Sequence, residues 1–160
     1  MFASEAVTGR TVLVVLEPGD DVLPALAEAC RVHAVRSAVI PVFLGAFREV
    51  RIIGAAEPPA DEDALMPDAV TVRNSEGLGS GTVTPGPEGP LIHLHVAVGA
   101  KGASAAATAG HLLGGIVQYP VEVVLTEVLE PALTREPNAQ ARGLPTLTFA
   151  TARHDPAPAP

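Results

Sequence analysis

The pattern of apolar positions in the first third of the chain predicts a strand, a turn and an amphipathic helix. The segment "TVLVVL" at 11–16 is rich in β-branched residues and stops before Pro18-Gly19, as a strand followed by a turn would. Asp20 or Asp21 can then serve as a helix N-cap. The apolar residues that follow recur at three- and four-residue steps, which predicts one buried helix face: Leu23, Leu26, Ala27, Cys30 and Ala34.

Two further apolar runs, "SAVIPVFLGAF" and "REVRIIG", predict more strands. Gly45 marks a bend or a close backbone approach between them. Pro41 predicts that its strand lies at a sheet edge or contains a bulge, because proline cannot donate to the ladder. Residues 55–69 are acidic and proline-rich without a sustained period, so we expect a solvated loop there.

The second half of the chain alternates turn-dense segments with well-defined strands. The glycine-rich "SEGLGSGTVTPGPEGP" fits either a bent strand or a surface loop. A strand at 91–98, a turn at 99–102, a return segment and the strand "VEVVLTEVLE" complete the predicted core. We interpret "ALTREPNAQARGLPTLTF" as irregular and the Pro/Ala-rich tail as disordered, with no role for His154. Mostly strands with one strong helix near the start predict the α+β class.

Composition narrows the functional classes. A chain of 160 residues with 48% apolar content is long enough for one folded domain. It contains no apolar run near the roughly 20 residues that span a bilayer. The first ten residues do not resemble a secretory signal, and one cysteine cannot form a disulfide framework, so we expect a cytoplasmic protein with reduced Cys30. A net charge of −8 counts against nucleic acid as a partner.

Two histidines in the apolar run "IHLHVAV" are the main candidates for chemistry. Side chains at i and i+2 of a strand share a face, so His93 and His95 project together while Leu94 and Val96 face the opposite, apolar side. Three protein ligands plus water are common at catalytic zinc, and His111 on the return segment is the natural third ligand. The alternative is a hydrogen-bonded or pH-sensitive surface pair, because an isolated His-x-His motif is weak.

Five segments in order, "LEPGDDVLPALAEACRVHAVRSAVI", "GAFREVRI", "IHLHVAV", "GHLLGGIV" and "VEVVLTE", resemble the plants-and-prokaryotes-conserved (PPC or DUF296) domain. The resemblance covers roughly residues 10–148, between a lead at 1–9 and the tail at 149–160. It implies an α+β fold in which an antiparallel sheet packs against one main helix, and it implies a homotrimer.

The resemblance also implies a ligand set. Histidines in the family's "HLH" and "GH" motifs are associated with a bound metal, often zinc, near a subunit boundary, and here these are His93, His95 and His111. Arg48 in "GAFREV" could hold an anionic group, or be a surface residue paired with Glu49 or another acid. The family's usual "G-x-F-E-I-L-S-L-x-G" stretch is replaced by "DAVTVRNSEGLGSGTV", so that pocket wall can differ. The AT-hook core of the plant relatives is missing.

Three functions follow as hypotheses. The first is a metal-dependent enzyme that acts on a small molecule at a cleft between subunits, by hydrolysis, hydration or condensation. Glu122 or Glu127 would then supply general acid or base catalysis, and Tyr119 would lie beside the site. The second is a non-catalytic metal-binding or protein-interaction module. The third, a DNA-associated regulator, is disfavoured by the acidic charge and the missing hook.

Overall fold

A computed structural model describes residues 1–54, 69–102, 106–141 and 143–149. The predicted loop at 55–69, except residue 69, and the tail from 150 onwards with His154 lie outside these residues. In chain order the elements are β1 (Val7–Leu16), α1 (Val22–Val32), β2 (Ala38–Ile53), β3 (Val70–Gly86), β4 (Gly89–Ala100), β5 (Ala107–Glu130), β6 (Leu133–Pro137), a short 3-10 turn (Ala139–Ala141) and β7 (Pro145–Phe149).

The first five strands form one antiparallel sheet in the order β1-β5-β2-β3-β4. The 24-residue strand β5 also pairs through its first half with β4, so β5, β2, β3 and β4 form a closed, barrel-like ring with β1 on the outer edge of β5. Mostly antiparallel sheet with one helix confirms the predicted fold class. The first strand begins at Val7, so three residues of the predicted lead belong to the sheet.

Helix α1 packs its apolar face against the sheet. Val22, Leu26 and Cys30 are fully buried and join Leu94 and Val96 in one hydrophobic core. Asp21 is the N-cap, and the Asp20 carboxylate accepts a hydrogen bond from the Glu17 backbone. The predicted face is therefore correct in its centre, but Ala34 lies beyond the helix end, with a φ of 53°, and is exposed.

Two sequence signals in β2 have clear structural counterparts. Ladder register shifts occur between Ile40 and Phe43 on one side and between Val39 and Val42 on the other, so a bulge surrounds Pro41 as predicted. A Cβ on Gly45 would lie 2.7 Å from the Pro120 carbonyl oxygen, which confirms the close approach. The two predicted strands are one continuous strand, because neither feature breaks the ladder.

The glycine-rich segment is a strand and not a loop. Gly77, Gly79 and Gly81 are opposite Val98, Val96 and Leu94 in the β3–β4 ladder, on the core-facing side. A Cβ at these glycines would lie 2.0–2.4 Å from backbone carbonyl oxygens of β4. The glycines therefore allow β3 to approach β4 more closely than any side chain would permit.

The segment after β5 was wrongly interpreted as irregular. Strands β6 and β7 form a two-stranded antiparallel hairpin, with Leu133 opposite Phe149, and β6 packs against β3. Its five-residue strands are too short for a reliable hydrophobic period, which explains the error. Within the described ranges, no helix is long and apolar enough to cross a membrane.

Candidate metal centre

His93 and His95 lie on the outer face of β4. Leu94 and Val96 between and beyond them are buried in the core, so the predicted two-residue alternation is confirmed. The two imidazole ring centroids are 5.1 Å apart. The strand geometry alone places both rings on the same side.

His111 completes the cluster from the beginning of β5. It is the direct cross-strand partner of His95, and cross-strand partners in an antiparallel pair project from the same face. Its ring centroid is 4.7 Å from that of His93 and 5.4 Å from that of His95. The closure of the sheet by β4 and β5 therefore brings together the three histidines that the sequence analysis selected.

The donor set fits a divalent transition metal. One candidate ligand nitrogen from each ring lies within 4.8 Å of the others, and His93 and His111 are half-buried. The His111 Nδ1 atom is buried without a hydrogen-bond partner among the described residues. Such an atom costs free energy unless something satisfies it, and a metal ion would do so.

Burial keeps the imidazoles in the form that can bind a metal. Desolvation, followed by the positive charge of Arg135 and the neighbouring rings, lowers the pKa of His93 to about 4. The pKa of His111 is lowered too, first by burial and then by His95 and Arg135. Both rings are therefore neutral at pH 7, as metal ligation requires.

Arg135 is a site residue that the sequence analysis missed. Its Nη2 atom donates a hydrogen bond of 3.0 Å to Thr82 Oγ1, and Thr82 is directly opposite His93 in the β3–β4 ladder. The guanidinium thus lies beside the histidines, held there by the β6–β7 hairpin. No sequence signal pointed to it, because Arg135 lies in the segment interpreted as irregular.

The structure does not bring Arg48 to the histidines. Arg48 lies on β2, exposed, five residues before Ile53, the β2 residue that pairs with His111. Five residues of extended strand span roughly 17 Å. The neighbouring Glu49 carboxylate pairs with Arg73 at 3.4 Å, so the suggested Arg48–Glu49 pair does not form.

The acid, base and tyrosine candidates also lie elsewhere within one chain. Tyr119 and Glu122 are exposed and follow His111 on β5 by eight and eleven residues, and Glu122 is three strands away from Ala97 of β4, roughly 14 Å across the sheet. The Tyr119 ring lies under the Lys101 ammonium, 5.2 Å from its centroid. Glu127 accepts a 2.9 Å hydrogen bond from Arg10, which lowers the pKa of its carboxyl.

An apolar outer face adjoins the histidines. Val15, Glu122, Leu44, Leu78 and Ala97 form one row of cross-strand partners from β1 to β4, so their side chains share a face. Ala97 is two residues from His95 on that face. The large apolar side chains exposed here are Leu13, Val15, Val42, Leu44 and Leu78. An exposed apolar patch of this extent is typical of an interaction surface.

Comparisons with known proteins agree with this architecture. The sequence model of the Plants and Prokaryotes Conserved (PCC) domain matches residues 3–129. No curated protein matches the chain.

Several solved structures share the fold. A metal-containing protein from Archaeoglobus fulgidus is 25% identical, with a TM-score of 0.73 over 92% of this chain and 99% of that one. A suggested DNA-binding protein from Ralstonia eutropha is 26% identical, with a TM-score of 0.71 over 86% and 90% of the two chains. A plant- and prokaryote-conserved protein from Pyrococcus horikoshii, 21% identical with a TM-score of 0.72 over 91% and 97%, shows the fold alone.

Proposed function

The chain belongs to the Plants and Prokaryotes Conserved domain family, and within that family we propose that it is a zinc-binding homotrimeric enzyme acting on a small molecule. The observation that carries the metal is the cluster of His93, His95 and His111, whose ligand nitrogens lie within 4.8 Å of one another. The metal-containing relative from Archaeoglobus fulgidus supports the same reading.

Three histidine ligands favour a catalytic site over a structural one. Structural zinc sites are closed by four protein ligands, whereas catalytic sites use three and leave a position for water or substrate. Among the residues that the structure describes, no fourth His, Cys, Asp or Glu joins the cluster. A bound divalent ion would supply Lewis acidity, which polarises a carbonyl or lowers the pKa of water.

The residues of this chain have defined tasks in such a site. His93, His95 and His111 hold the ion, and burial keeps the first and third of them neutral. His95 is exposed, so small molecules in solvent can reach the cluster from its side. These features suit hydrolysis, hydration or condensation of a small carbonyl-containing substrate.

The homotrimer is supported by the apolar outer face. This face runs across five strands and reaches the histidine row through Ala97, so a second copy that covers it would also form one wall of the site. Such a wall would create the enclosed cleft that a small substrate requires. Burial of Leu44 and Leu78 would favour assembly through the hydrophobic effect.

The experiment that tests the metal site is elemental analysis of protein purified without an affinity tag. We expect about one zinc per chain in the wild type and in His33→Ala, and a loss of at least 90% in His111→Ala. His33 is the matched control because it is an exposed histidine at the end of α1. Absence of metal from wild type after zinc addition would disprove the site, and a closed four-ligand site would favour the non-catalytic binding module.

A further inference from the structure

We propose that Arg135 binds the oxyanion of the substrate, a carboxylate or phosphate group, beside the three histidines. This inference rests on the proposed metal site and names the class of molecule that the site accepts. It concerns a residue on β6, outside the segments in which the histidines lie.

The guanidinium of Arg135 is held close to the histidine rings. Thr82 anchors Arg135 by the 3.0 Å hydrogen bond from Nη2, and Thr82 is the cross-strand partner of His93. Directly opposed residues in an antiparallel pair have Cβ atoms about 5 Å apart. The cation is therefore held within about one side-chain length of the metal-binding rings.

Arg135 has hydrogen-bond donors without partners among the described residues. A guanidinium has five N–H groups. Two of them have partners here: one on Nη2 bonds to Thr82, and one on Nη1 makes a long, 3.4 Å contact with the Pro145 carbonyl oxygen. The Nε atom is buried and has no partner among the described residues. Two oxygens of a carboxylate or phosphate group would satisfy such donors in pairs, as in the bidentate contacts that arginine commonly makes.

The charges around the histidine cluster favour an anionic ligand. In the described parts of the chain, no carboxylate forms an ion pair with Arg135, and the histidine cluster contains no carboxylate either. A divalent ion bound by the three imidazoles, together with Arg135, would bring three positive charges to the site without compensation. The protein as a whole carries a net charge of −8, so this local excess of positive charge stands out. An anionic substrate would offset part of this charge, and a neutral one would not.

Anion binding to cobalt-substituted protein tests the proposal, because the visible absorption of Co²⁺ changes when a ligand approaches the ion. The probes are acetate and methyl phosphate, with neutral acetamide as the comparison. We expect saturable spectral changes with at least one of the two anions and none with acetamide. In Arg135→Gln the Kd for that anion should rise at least tenfold while cobalt stoichiometry stays at about one per chain. Arg135→Lys keeps the positive charge but loses the paired N–H donors of the guanidinium. Its Kd for the anion should lie between those of the wild type and Arg135→Gln.

The matched control is Arg31→Gln, because Arg31 lies on α1, which packs on the opposite, core-facing side of β4. Its anion affinity should equal that of the wild type. Equal anion affinities in wild type and Arg135→Gln, with cobalt bound normally in both, would overturn the role of Arg135 but leave the metal site standing. If Arg135→Gln binds no cobalt, the anion affinity of Arg135→Lys is compared with that of the wild type instead. Loss of cobalt from both variants would overturn the role in anion binding and show that Arg135 supports the positions of the histidines. A wild type that binds no cobalt would overturn the proposed function and this inference together.

Discussion

At the scale of single residues, the histidine cluster combines a contact within one strand with contacts between segments that are distant in the chain. His93 and His95 share a face because a strand repeats every two residues, so the sequence alone defined that pair. His111 was named as the third ligand from its place on the return segment, and the family motif implied it as well; its position beside the pair across β4 and β5 is confirmed. Arg135 lies beside the same rings but is 53 residues from the threonine that anchors it, a contact that local patterns do not encode.

Cys30 is a residue whose place in the fold also follows from local spacing, and it has no chemical role in the proposed site. Its position on the apolar side of α1 predicted a small core residue, and it is fully buried. Burial raises the pKa of its thiol to about 11. At pH 8 only about one thiol in a thousand would be ionised at that pKa, and the thiolate is the reactive form.

We therefore expect native Cys30 to react with iodoacetamide at pH 8 at least a hundredfold more slowly than the same thiol in urea-unfolded protein. Mass spectrometry of the alkylated fraction over time measures both rates. The unfolded protein serves as its own control, because its single thiol is then fully accessible. Rapid alkylation of the folded protein would show that α1 separates readily from the sheet.

At the scale of elements, strand identity was predictable where side chains alternate and ambiguous where glycine replaces them. Strand β3 carries glycine at three core-facing positions, so its inward pattern is empty and cannot be distinguished from a loop by sequence. The physical reason for these glycines becomes visible only in the ladder, where the β4 backbone occupies the space that side chains would need. The β6–β7 hairpin was missed because its five-residue strands carry too little pattern.

Gly81→Ala tests this explanation of β3. The new Cβ would lie 2.0 Å from the His93 carbonyl oxygen, so the β3–β4 ladder must shift beside a proposed metal ligand. We expect a loss of about 1–3 kcal/mol or more in the free energy of unfolding, typical of overpacking, together with weaker zinc binding. Urea denaturation and zinc titration measure the two effects.

Gly114→Ala is the matched control for that experiment. Gly114 is also a strand glycine, but a Cβ there would have no atom of the described residues within 4 Å. Its unfolding free energy should stay within about 0.5 kcal/mol of the wild-type value. Equal stabilities in the two variants would mean that β3 accommodates a side chain and that the glycines serve another purpose.

At the scale of the whole molecule, the fold class followed from the order of elements, whereas the closure of the ring did not. Pairing of β5 with β1, β2 and β4 depends on a single 24-residue strand that the sequence divides at "GGIVQYP". The ladders that join β1, β5, β2, β3 and β4 form the continuous outer face, and its apolar residues come from four separate strands. No local window contains this surface, so the homotrimer rested on family resemblance alone.

Leu78→Glu tests whether this face joins copies of the chain. Leu78 is 65% exposed and lies in the apolar row between Leu44 and Ala97, and Ala97 is two residues from His95. A buried, unpaired carboxylate would be costly at an interface, so we expect the proposed trimer to dissociate in this variant. Val32→Glu provides the control, because Val32 is also apolar and is 69% exposed but lies on α1, away from this face.

Light scattering coupled to size-exclusion chromatography measures the mass of each assembly. Three chains for wild type and Val32→Glu and one for Leu78→Glu would support assembly through this surface. Zinc binding that weakens only in the dissociated variant would further show that the second copy forms part of the site, whereas a trimer that survives Leu78→Glu would assign assembly to another surface.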